Sequence, residues 1–289
     1  MLRIVLTGAT GFVGRHFFTR YKNCDPNIVP VVRSTEKGIT LGVENFLVFH
    51  EMTGGMLNDK GLKSSCLIHL IGASRDERNC SMWDSIVETT RSVILAARES
   101  DIQRIIYLSG YGVNAQSAEG NYMAKWEAEE IIRSSGIPYT IFRCSYILGP
   151  GDELTPYLIE QLKEGRVEIP GDGSYRIQPL HIDDVVSVLY NATKEETFKS
   201  HTFNLLGCPI TYANFVELLA SKIYPKAVIS HVDLETFIRR AISSPDPDFT
   251  TSELAVLIGD RVGPPTVTCL GVKIRGIEEI VKDLVLRQT

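Results

Sequence analysis

Three glycines follow the first apolar run of the chain at intervals of three residues, in the segment TGATGFVG. Gly8 permits a tight turn after a strand, Gly11 lets phosphate groups approach the backbone, and Gly14 lets the next helix pack closely. The first amides of that helix lack intrahelical partners and lie at the positive end of its dipole, so they favour an anion. A structural turn is the alternative to a phosphate cradle. The predicted cofactor-binding residues of the cradle are Gly8, Thr10, Gly11, Phe12, Val13 and Gly14.

Two basic residues follow the second predicted strand, at the position where dinucleotide-binding folds discriminate between NAD and NADP. An acidic residue at this place would bind the ribose hydroxyls of NAD, whereas an arginine suits the 2′-phosphate of NADP. The chain has Arg33 there, with Lys37 nearby. We therefore predict that Arg33 binds cofactor and that the cofactor is NADP. NAD, with both cations solvated in a loop, is the alternative.

The elements that must position these residues alternate between strands and helices. The expected strands are residues 2–6, 28–32, 46–49, 66–71, 105–108 and 139–142, and the expected helices are 12–21, 83–99 and one from about 122. Such alternation predicts an α/β fold with a Rossmann-type, doubly wound parallel sheet over residues 1–148, rejoined by about 180–206. Residues 149–179 and 207–289, where Pro and Gly become frequent, are predicted to form a smaller C-terminal cap domain.

Composition limits the classes of protein that the chain can belong to. It has 289 residues, of which 44% are hydrophobic, and a net charge of −5 argues against a nucleic-acid partner. The six cysteines include no C-x-x-C pair, which predicts a reduced cytoplasmic protein without a metal site. No apolar run approaches the roughly 20 residues of a membrane span.

Four segments together resemble the short-chain dehydrogenase/reductase superfamily, and most of all its extended and atypical members. They are TGATGFVG, YLSGYG, the helix around Lys125 and PLHIDDVV. The resemblance covers nearly the whole chain and is weakest from about Ile223 onward. It implies a Rossmann domain, a nicotinamide cofactor and a small-molecule substrate under a C-terminal cap. It also implies a homodimer formed through the helices near 83–99 and 122–135.

The resemblance also implies catalytic residues, but not all of them are in register. Members usually carry a Tyr that exchanges a proton with the substrate, and a Lys four residues later that lowers the Tyr pKa and binds the nicotinamide ribose. Lys125 matches the lysine, so Asn121 occupies the Tyr position and Tyr122 comes one residue late. Because three and four residues of a helix lead to different sides, Tyr122 reaches the site only if the helix begins at or after it. We predict Lys125 and Tyr122 as catalytic, with Tyr111, at the family's Ser position, as a relocated acid.

Further cofactor-binding residues are implied by the same resemblance. Gly72 and Ala73 match the small residues that pass over the cofactor ribose. Ser109 begins the segment in which the family holds the substrate oxygen. Cys144 stands where members place a Pro beside the nicotinamide ring.

A second departure from the family concerns the substrate. Sugar-nucleotide epimerases carry an Arg for the substrate diphosphate where this chain has Ile177, and Arg176 would face the other way in an extended segment. The form Gln-Pro-x-His-x-x-Asp resembles instead the atypical branch that includes a respiratory complex I accessory subunit. Three functions stay open: an NADP(H)-dependent oxidoreductase acting on a small carbonyl or hydroxyl compound, a non-catalytic dinucleotide-binding regulator or assembly protein, and a nucleotide-sugar epimerase or dehydratase.

Four titratable residues are predicted to have structural roles and not catalytic ones. His69 lies in the fourth predicted strand, so we expect a buried, hydrogen-bonded side chain. Glu127, Glu129 and Glu130 are expected on the solvated face of the helix that contains Lys125.

Overall fold

The computed structural model describes residues 3–62, 65–73, 81–117, 120–195, 199–243, 251–265 and 271–286. The strands are β1 (Ile4–Thr7), β2 (Ile28–Val32), β3 (Leu47–Val48), β4 (Cys66–His69), β5 (Arg104–Gly110), β6 (Tyr139–Cys144), β7 (Ile147–Leu148), β8 (Arg166–Pro170), β9 (Arg176–Ile177), β10 (Leu180–His181), β11 (His201–Leu205), β12 (Ile210–Thr211) and β13 (Val228–Val232). The helices are α1 (Phe12–Tyr21), α2 (Thr35–Thr40), α3 (Gly54–Asp59), α4 (Thr89–Glu99), α5 (Gly120–Arg133), α6 (Leu154–Lys163), α7 (Ile182–Ala192), α8 (Tyr212–Ile223), α9 (Leu234–Ser243), α10 (Thr251–Ile258) and α11 (Ile277–Leu286).

The main sheet has seven strands in the order β11-β6-β5-β4-β1-β2-β3. The pairings of β1 with β2 and β4, of β2 with β3 and of β4 with β5 are parallel. The chain runs outward from β1 to β3 and then crosses to β4 on the other side of β1. This reversal creates a crevice outside the carboxyl ends of β1 and β4, where open α/β sheets bind ligands.

The first of two compact units contains this sheet and comprises Met1–Arg143, Val185–Asn204 and Thr266–Val272. Its core forms because β1, β4 and β5 are buried and apolar. Val5, Leu67 and Ile105 are register partners, so their side chains form a row across three strands. α4 and α5 cover this row, for example with Val93 and Ala128, and exclude water from it.

The second unit comprises Cys144–Asp184, Leu205–Pro265 and Lys273–Thr289. Its strands pair in short ladders: β8 with β13 and β7 with β10 in parallel, and β9 with β12 antiparallel. A separate apolar cluster forms its core, where α6, α8 and α11 contribute buried side chains such as Leu158, Phe215 and Val281.

The predicted α/β fold with a Rossmann-type parallel sheet is confirmed. α1 and β2 have the predicted bounds, and β11 joins the main sheet as expected. One boundary matters for the site: α5 begins at Gly120, so Tyr122 lies inside the helix rather than before it. In the described ranges, no helix is long and apolar enough to cross a membrane.

Candidate dinucleotide-binding site

The corner between β1 and α1 can be built only with glycine. Gly8 has φ +72°, and a Cβ there would lie 2.7 Å from the Leu70 carbonyl carbon on β4's outgoing chain. A Cβ on Gly14 would collide with the Gly8 carbonyl oxygen. Gly11 is the N-cap of α1, and its amide donates to Gly8 O at 3.0 Å. Gly8 and Gly14 are therefore required because the backbone of the corner packs closely against β4 and against itself.

A cavity of about 520 Å³ lies at this corner, within the size range of small-molecule and cofactor sites. The carboxyl ends of β1, β2 and β4 form its base, because Thr7 is in register with both Val31 and His69. Its lining residues are Gly8, Thr10, Gly11, Val31, Val32, Arg33, Lys37, Phe49, Leu70, Ile71, Gly72, Ser85 and Thr89.

Two cations stand on the β2 side of the cavity. Arg33 follows β2 directly, and Lys37 lies one turn into α2, whose N-cap is Ser34. Both side chains are exposed and line the cavity together with the glycine corner. A bound phosphate group at this end would face two positive charges while keeping contact with water.

The opposite wall contains a π-helical turn, Asp84–Glu88, that leads directly into α4. Widened turns of this kind occur frequently at functional sites because they redirect side chains. Here Ser85 and Thr89 both line the cavity. The next residue, Thr90, turns into the core, where its hydroxyl donates to Ile86 O at 2.6 Å.

His69 links the two walls beneath the cavity. Its Nε2 lies 3.0 Å from Thr90 Oγ1, and its Nδ1 lies 2.7 Å from Thr7 Oγ1. Because the Thr90 hydroxyl proton is already committed to Ile86 O, Thr90 accepts from Nε2–H and Thr7 donates to Nδ1. Burial lowers the pKa of His69 to about 3, so the ring is neutral. The expectation of a buried, hydrogen-bonded histidine is confirmed.

Lys125 reaches from α5 to the cavity wall. A Cβ on Gly72 would lie 4.0 Å from Lys125 Nζ, and one on Gly110 would lie 3.6 Å from Lys125 Cδ. The Tyr122 ring reaches the same strand end, with Cε1 3.3 Å from that Gly110 Cβ position. Lys125 and Tyr122 therefore both approach the carboxyl end of β5 although Tyr122 lies inside α5. The expectation that Tyr122 does so only if the helix begins at or after it is wrong.

Asn121 is the second residue of α5, one turn before Lys125. Its side chain is buried, with a relative exposure of 9%. Its Oδ1 has no hydrogen-bond partner among the described residues. Since an amide neither ionises nor exchanges a proton near neutral pH, Asn121 cannot replace the family's Tyr as an acid.

The structure corrects the interpretation of Glu129. Glu127 and Glu130 are partly or fully solvated, but Glu129 is completely buried. Its carboxylate accepts hydrogen bonds from Arg143 at 2.6 and 2.9 Å, and from Ser109 Oγ at 2.6 Å. Glu129 faces inward because Arg133 and Arg143 donate hydrogen bonds to its carboxylate there.

The predicted role of Ser109 is affected by the same cluster. Its hydroxyl points at Glu129 and is committed to that hydrogen bond. Ser109 is 3% exposed and does not line the cavity. Ser109 therefore has no proton left to donate to a ligand, because the buried carboxylate takes it, and its predicted role in cofactor binding stays a prediction.

The remaining predicted residues are not among those that line the cavity. Phe12 and Val13 are half-buried in the first turn of α1, and Ala73 is half-buried beside Gly72. Tyr111 is half-buried directly after β5. Cys144 is buried at the end of β6 and belongs to the second unit. The roles assigned to these five residues stay predictions.

In the second unit, Ile177 is buried and Arg176 is exposed on the other side of β9. The Arg176 guanidinium donates to both oxygens of Asp260, at 2.9 and 2.8 Å. This fork holds the pKa of Asp260 down at about 2. Arg176 is thus committed to a carboxylate within its own unit.

The described residues contain no group of His, Cys, Asp and Glu side chains that could hold a metal ion. Residues 4–205 match the model of the NAD dependent epimerase/dehydratase family. The chain belongs to this family. Family membership confirms the resemblance to extended and atypical short-chain dehydrogenases/reductases.

Several curated relatives are named as subunits of NADH dehydrogenase [ubiquinone] or NADH-ubiquinone oxidoreductase. The chain is 26% identical to NADH dehydrogenase [ubiquinone] 1 alpha subcomplex subunit 9 of Arabidopsis thaliana over 198 residues, covering 65% of this chain and 49% of that protein. It is 24% identical to the NADH-ubiquinone oxidoreductase 40 kDa subunit of Neurospora crassa, covering 82% and 64%. The chain thus spans about half to two thirds of the length of these relatives.

Two solved structures illustrate proteins that share the fold. A triphenylmethane reductase from Citrobacter sp. superposes with a TM-score of 0.77 at 21% identity, over 99% of this chain and 100% of that one. A UDP-glucose 4-epimerase from Thermotoga maritima has a TM-score of 0.67 at 17% identity, over 100% of both chains.

Sequence reasoning missed several lining residues. Ser85 and Thr89 reach the cavity through a π-helical turn, which leaves no periodicity signal that differs from an ordinary helix. Phe49 lines it just after the two-residue β3. The apolar run 46–49 predicted the strand but not that its last residue lines a cavity. The available clue to Phe49 was its position directly after a parallel strand at the edge of the sheet.

Proposed function

We propose that this chain binds NADP(H) in the glycine-corner cavity and transfers hydride between the cofactor and a small carbonyl or hydroxyl compound. The observation that carries the proposal is the joint lining of one cavity by Gly8, Gly11, Arg33 and Lys37. Bare amides at a helix start suit the pyrophosphate, and the two cations suit a 2′-phosphate.

The chain's own residues divide the work of such a reaction. The first turn of α1, which follows the N-cap Gly11, holds the pyrophosphate at the positive end of the helix dipole. Lys125, whose ammonium lies beside Gly72, orients the nicotinamide ribose. Tyr122, next to Lys125 at Gly110, supplies the proton, with Tyr111 or a water as the alternative donor. The nicotinamide, when bound, supplies the hydride.

Calorimetric titration of NADPH and NADH tests the cofactor choice. We expect NADPH to bind more tightly, and Arg33→Ala and Lys37→Ala each to weaken NADPH by about tenfold while NADH changes little, since a charge-assisted contact contributes about 1.5 kcal/mol or more. Arg98→Ala removes an exposed arginine that does not line this cavity and is the matched control. If NADPH and NADH bound with equal affinity to the natural chain and to every variant, the choice of NADP would be refuted.

A second candidate is a dinucleotide-binding protein without turnover. Asn121 at the family's Tyr position favours it, as do the relatives that are named as subunits of a larger enzyme. Loss of nicotinamide absorbance with a panel of aldehydes, ketones and quinones separates the two: binding with turnover supports the oxidoreductase, and binding without turnover on the whole panel supports the subunit-like role. The commitment of Arg176 to Asp260 leaves the sugar-nucleotide alternative without support at β9.

A further inference from the structure

We propose that one end of the second unit binds the surface of an anionic lipid bilayer through an exposed lysine patch. The patch consists of Lys163, Lys222, Tyr224, Lys226 and Val228, all of which are exposed and belong to that unit. The inference goes beyond the proposed function, because the glycine corner lies in the first unit and uses none of these residues.

Two neighbouring turns of the backbone bring the patch together. α6 leads into β8 through residues 163–166, and α8 leads into β13 through residues 222–228. The Val228 amide donates to Gly165 O at 2.9 Å, which joins the second turn to the first. A Cβ on Gly165 would lie 3.9 Å from Tyr224 Cε1, so the tyrosine ring also lies beside the first turn. The three lysines therefore extend from adjacent stretches of backbone.

The patch has an excess of positive charge. Among the described residues, no carboxylate lies within ion-pair distance of any of its three lysines. Two nearby arginines differ in this respect, because Arg166 and Arg240 pair with Glu168 at 2.6 and 2.8 Å. Glu164 is the one acidic residue of the two turns, whereas the whole chain has a net charge of −5. The local charge thus has the opposite sign to the chain and favours an anionic partner.

The helix dipole accounts for only part of this arrangement. Lys163 and Lys222 lie in the last turns of α6 and α8, where a cation offsets the negative helix end. Lys226 lies three residues beyond the end of α8, outside the reach of that effect. The dipole also gives no reason for the exposure of Tyr224 and Val228, which is 43% and 61%. Basic side chains combined with exposed apolar ones are typical of surfaces that lie on lipid headgroups.

The residue types favour a lipid surface over a protein or a nucleic acid. Lysine is depleted in interfaces between proteins, and arginine is preferred for forked binding to carboxylates and to nucleic-acid phosphates. The cations of the patch are all lysines, which act as point charges on flexible stems. Such charges suit a surface of mobile anionic headgroups, to which each lysine adds attraction. Tyr224 fits the same partner, because tyrosine is enriched where lipid meets water.

Vesicle sedimentation tests this assignment with two lipid compositions: phosphatidylcholine alone, and equal parts of phosphatidylcholine and phosphatidylserine. The first variant replaces the three lysines of the patch together by glutamine. The second, Val228→Gln, removes an exposed apolar side chain and no charge. The matched control removes the same charge from three exposed residues outside the patch, as Lys60→Gln, Arg98→Gln and Lys273→Gln combined. All the substituted side chains are exposed, and melting temperatures establish that each variant is folded.

We expect the natural chain to sediment with the phosphatidylserine vesicles, to remain in solution with phosphatidylcholine alone, and to be released by added salt. The triple patch variant should bind about 100-fold more weakly, since each lysine at an anionic surface contributes about fivefold. The control should change by about threefold or less, because charges distant from the lipid are screened. Val228→Gln should weaken binding by about threefold.

Three results would overturn the inference: a natural chain that binds neither vesicle, equal binding to both compositions, or the same loss in the patch variant and the control. Binding to the polyanion heparin, but to neither vesicle, would assign the patch to another anionic partner and overturn the lipid assignment. These outcomes do not depend on NADPH, so the proposed function is tested separately.

Discussion

Glu129 offers a sharp test of what holds the candidate site together. Its buried carboxylate accepts four hydrogen bonds, from Ser109 at 2.6 Å, from Arg143 at 2.6 and 2.9 Å, and from Arg133 at 2.5 Å. These donors lie at the end of β5, on β6 and on α5. Glu129→Gln keeps the shape but replaces one acceptor oxygen by an NH₂ group that faces a donor.

The expected loss follows from burial. Removing one partner of a buried ion pair is destabilising by about 3–5 kcal/mol, because the remaining charge is left uncompensated. The Arg133 and Arg143 side chains are 24% and 20% exposed, so water reaches them in part, and we place Glu129→Gln near the lower figure, about 3 kcal/mol. Glu130 is the matched control: it also pairs with Arg133 but is 47% exposed, and Glu130→Gln should lose less than about 1 kcal/mol.

Denaturant unfolding followed by far-UV circular dichroism measures both variants, with an unchanged slope required for the comparison. The double variant Glu129→Met, Arg143→Met should recover part of the loss, because it removes the stranded charge together with its partner. If Glu129→Gln is no less stable than Glu130→Gln, the carboxylate is not the centre of the cluster and the argument is refuted.

Three further predictions concern the cavity and the side chains packed around it. Gly8→Ala forces a Cβ to within 2.7 Å of the Leu70 backbone at φ +72°, so we expect a loss of at least about 2 kcal/mol in unfolding free energy and no calorimetric NADPH binding; retained binding would contradict the cradle. Because the pKa of His69 falls to about 3 in the folded chain against 6.5 unfolded, only the unfolded state gains the proton as the pH drops below 6.5. Folding stability should therefore fall by about 2 kcal/mol more between pH 7 and pH 5 than in His69→Gln, and parallel pH profiles in denaturant unfolding would disprove this. Tyr122→Phe should slow NADPH-dependent carbonyl reduction about 100-fold, followed by absorbance, whereas undiminished rates in both Tyr122→Phe and Tyr111→Phe would leave neither phenol a proton-transfer role.

The first half of the fold was predictable because its signals are local and agree with each other. β1 and β4 are short apolar runs, and the glycine corner between β1 and α1 demands backbone freedom that no other residue supplies. The second unit was harder. β7, β9, β10 and β12 have two residues each, too few for a periodic pattern, and their pairing depends on partners distant in sequence.

The site shows the same division between local and non-local information. Gly8, Gly11 and Arg33 were identified from spacing alone, and the structure brings them to one cavity. Glu129 was misjudged because its environment depends on Arg143, which comes from a different element of the fold. A helix pattern shows that a glutamate faces outward on average, but it cannot show that an arginine from β6 meets it there.

Glu129 and Lys125 connect the buried cluster to the cavity, because they lie one helical turn apart on α5. Four donors from three elements fix Glu129, and this anchors the helix turn that carries Asn121 and Lys125 against the ends of β4 and β5. Because the Lys125 ammonium lies beside Gly72 at the cavity wall, the position of α5 sets the position of that cation. Loss of the Glu129 anchor should therefore reach the cavity through Lys125.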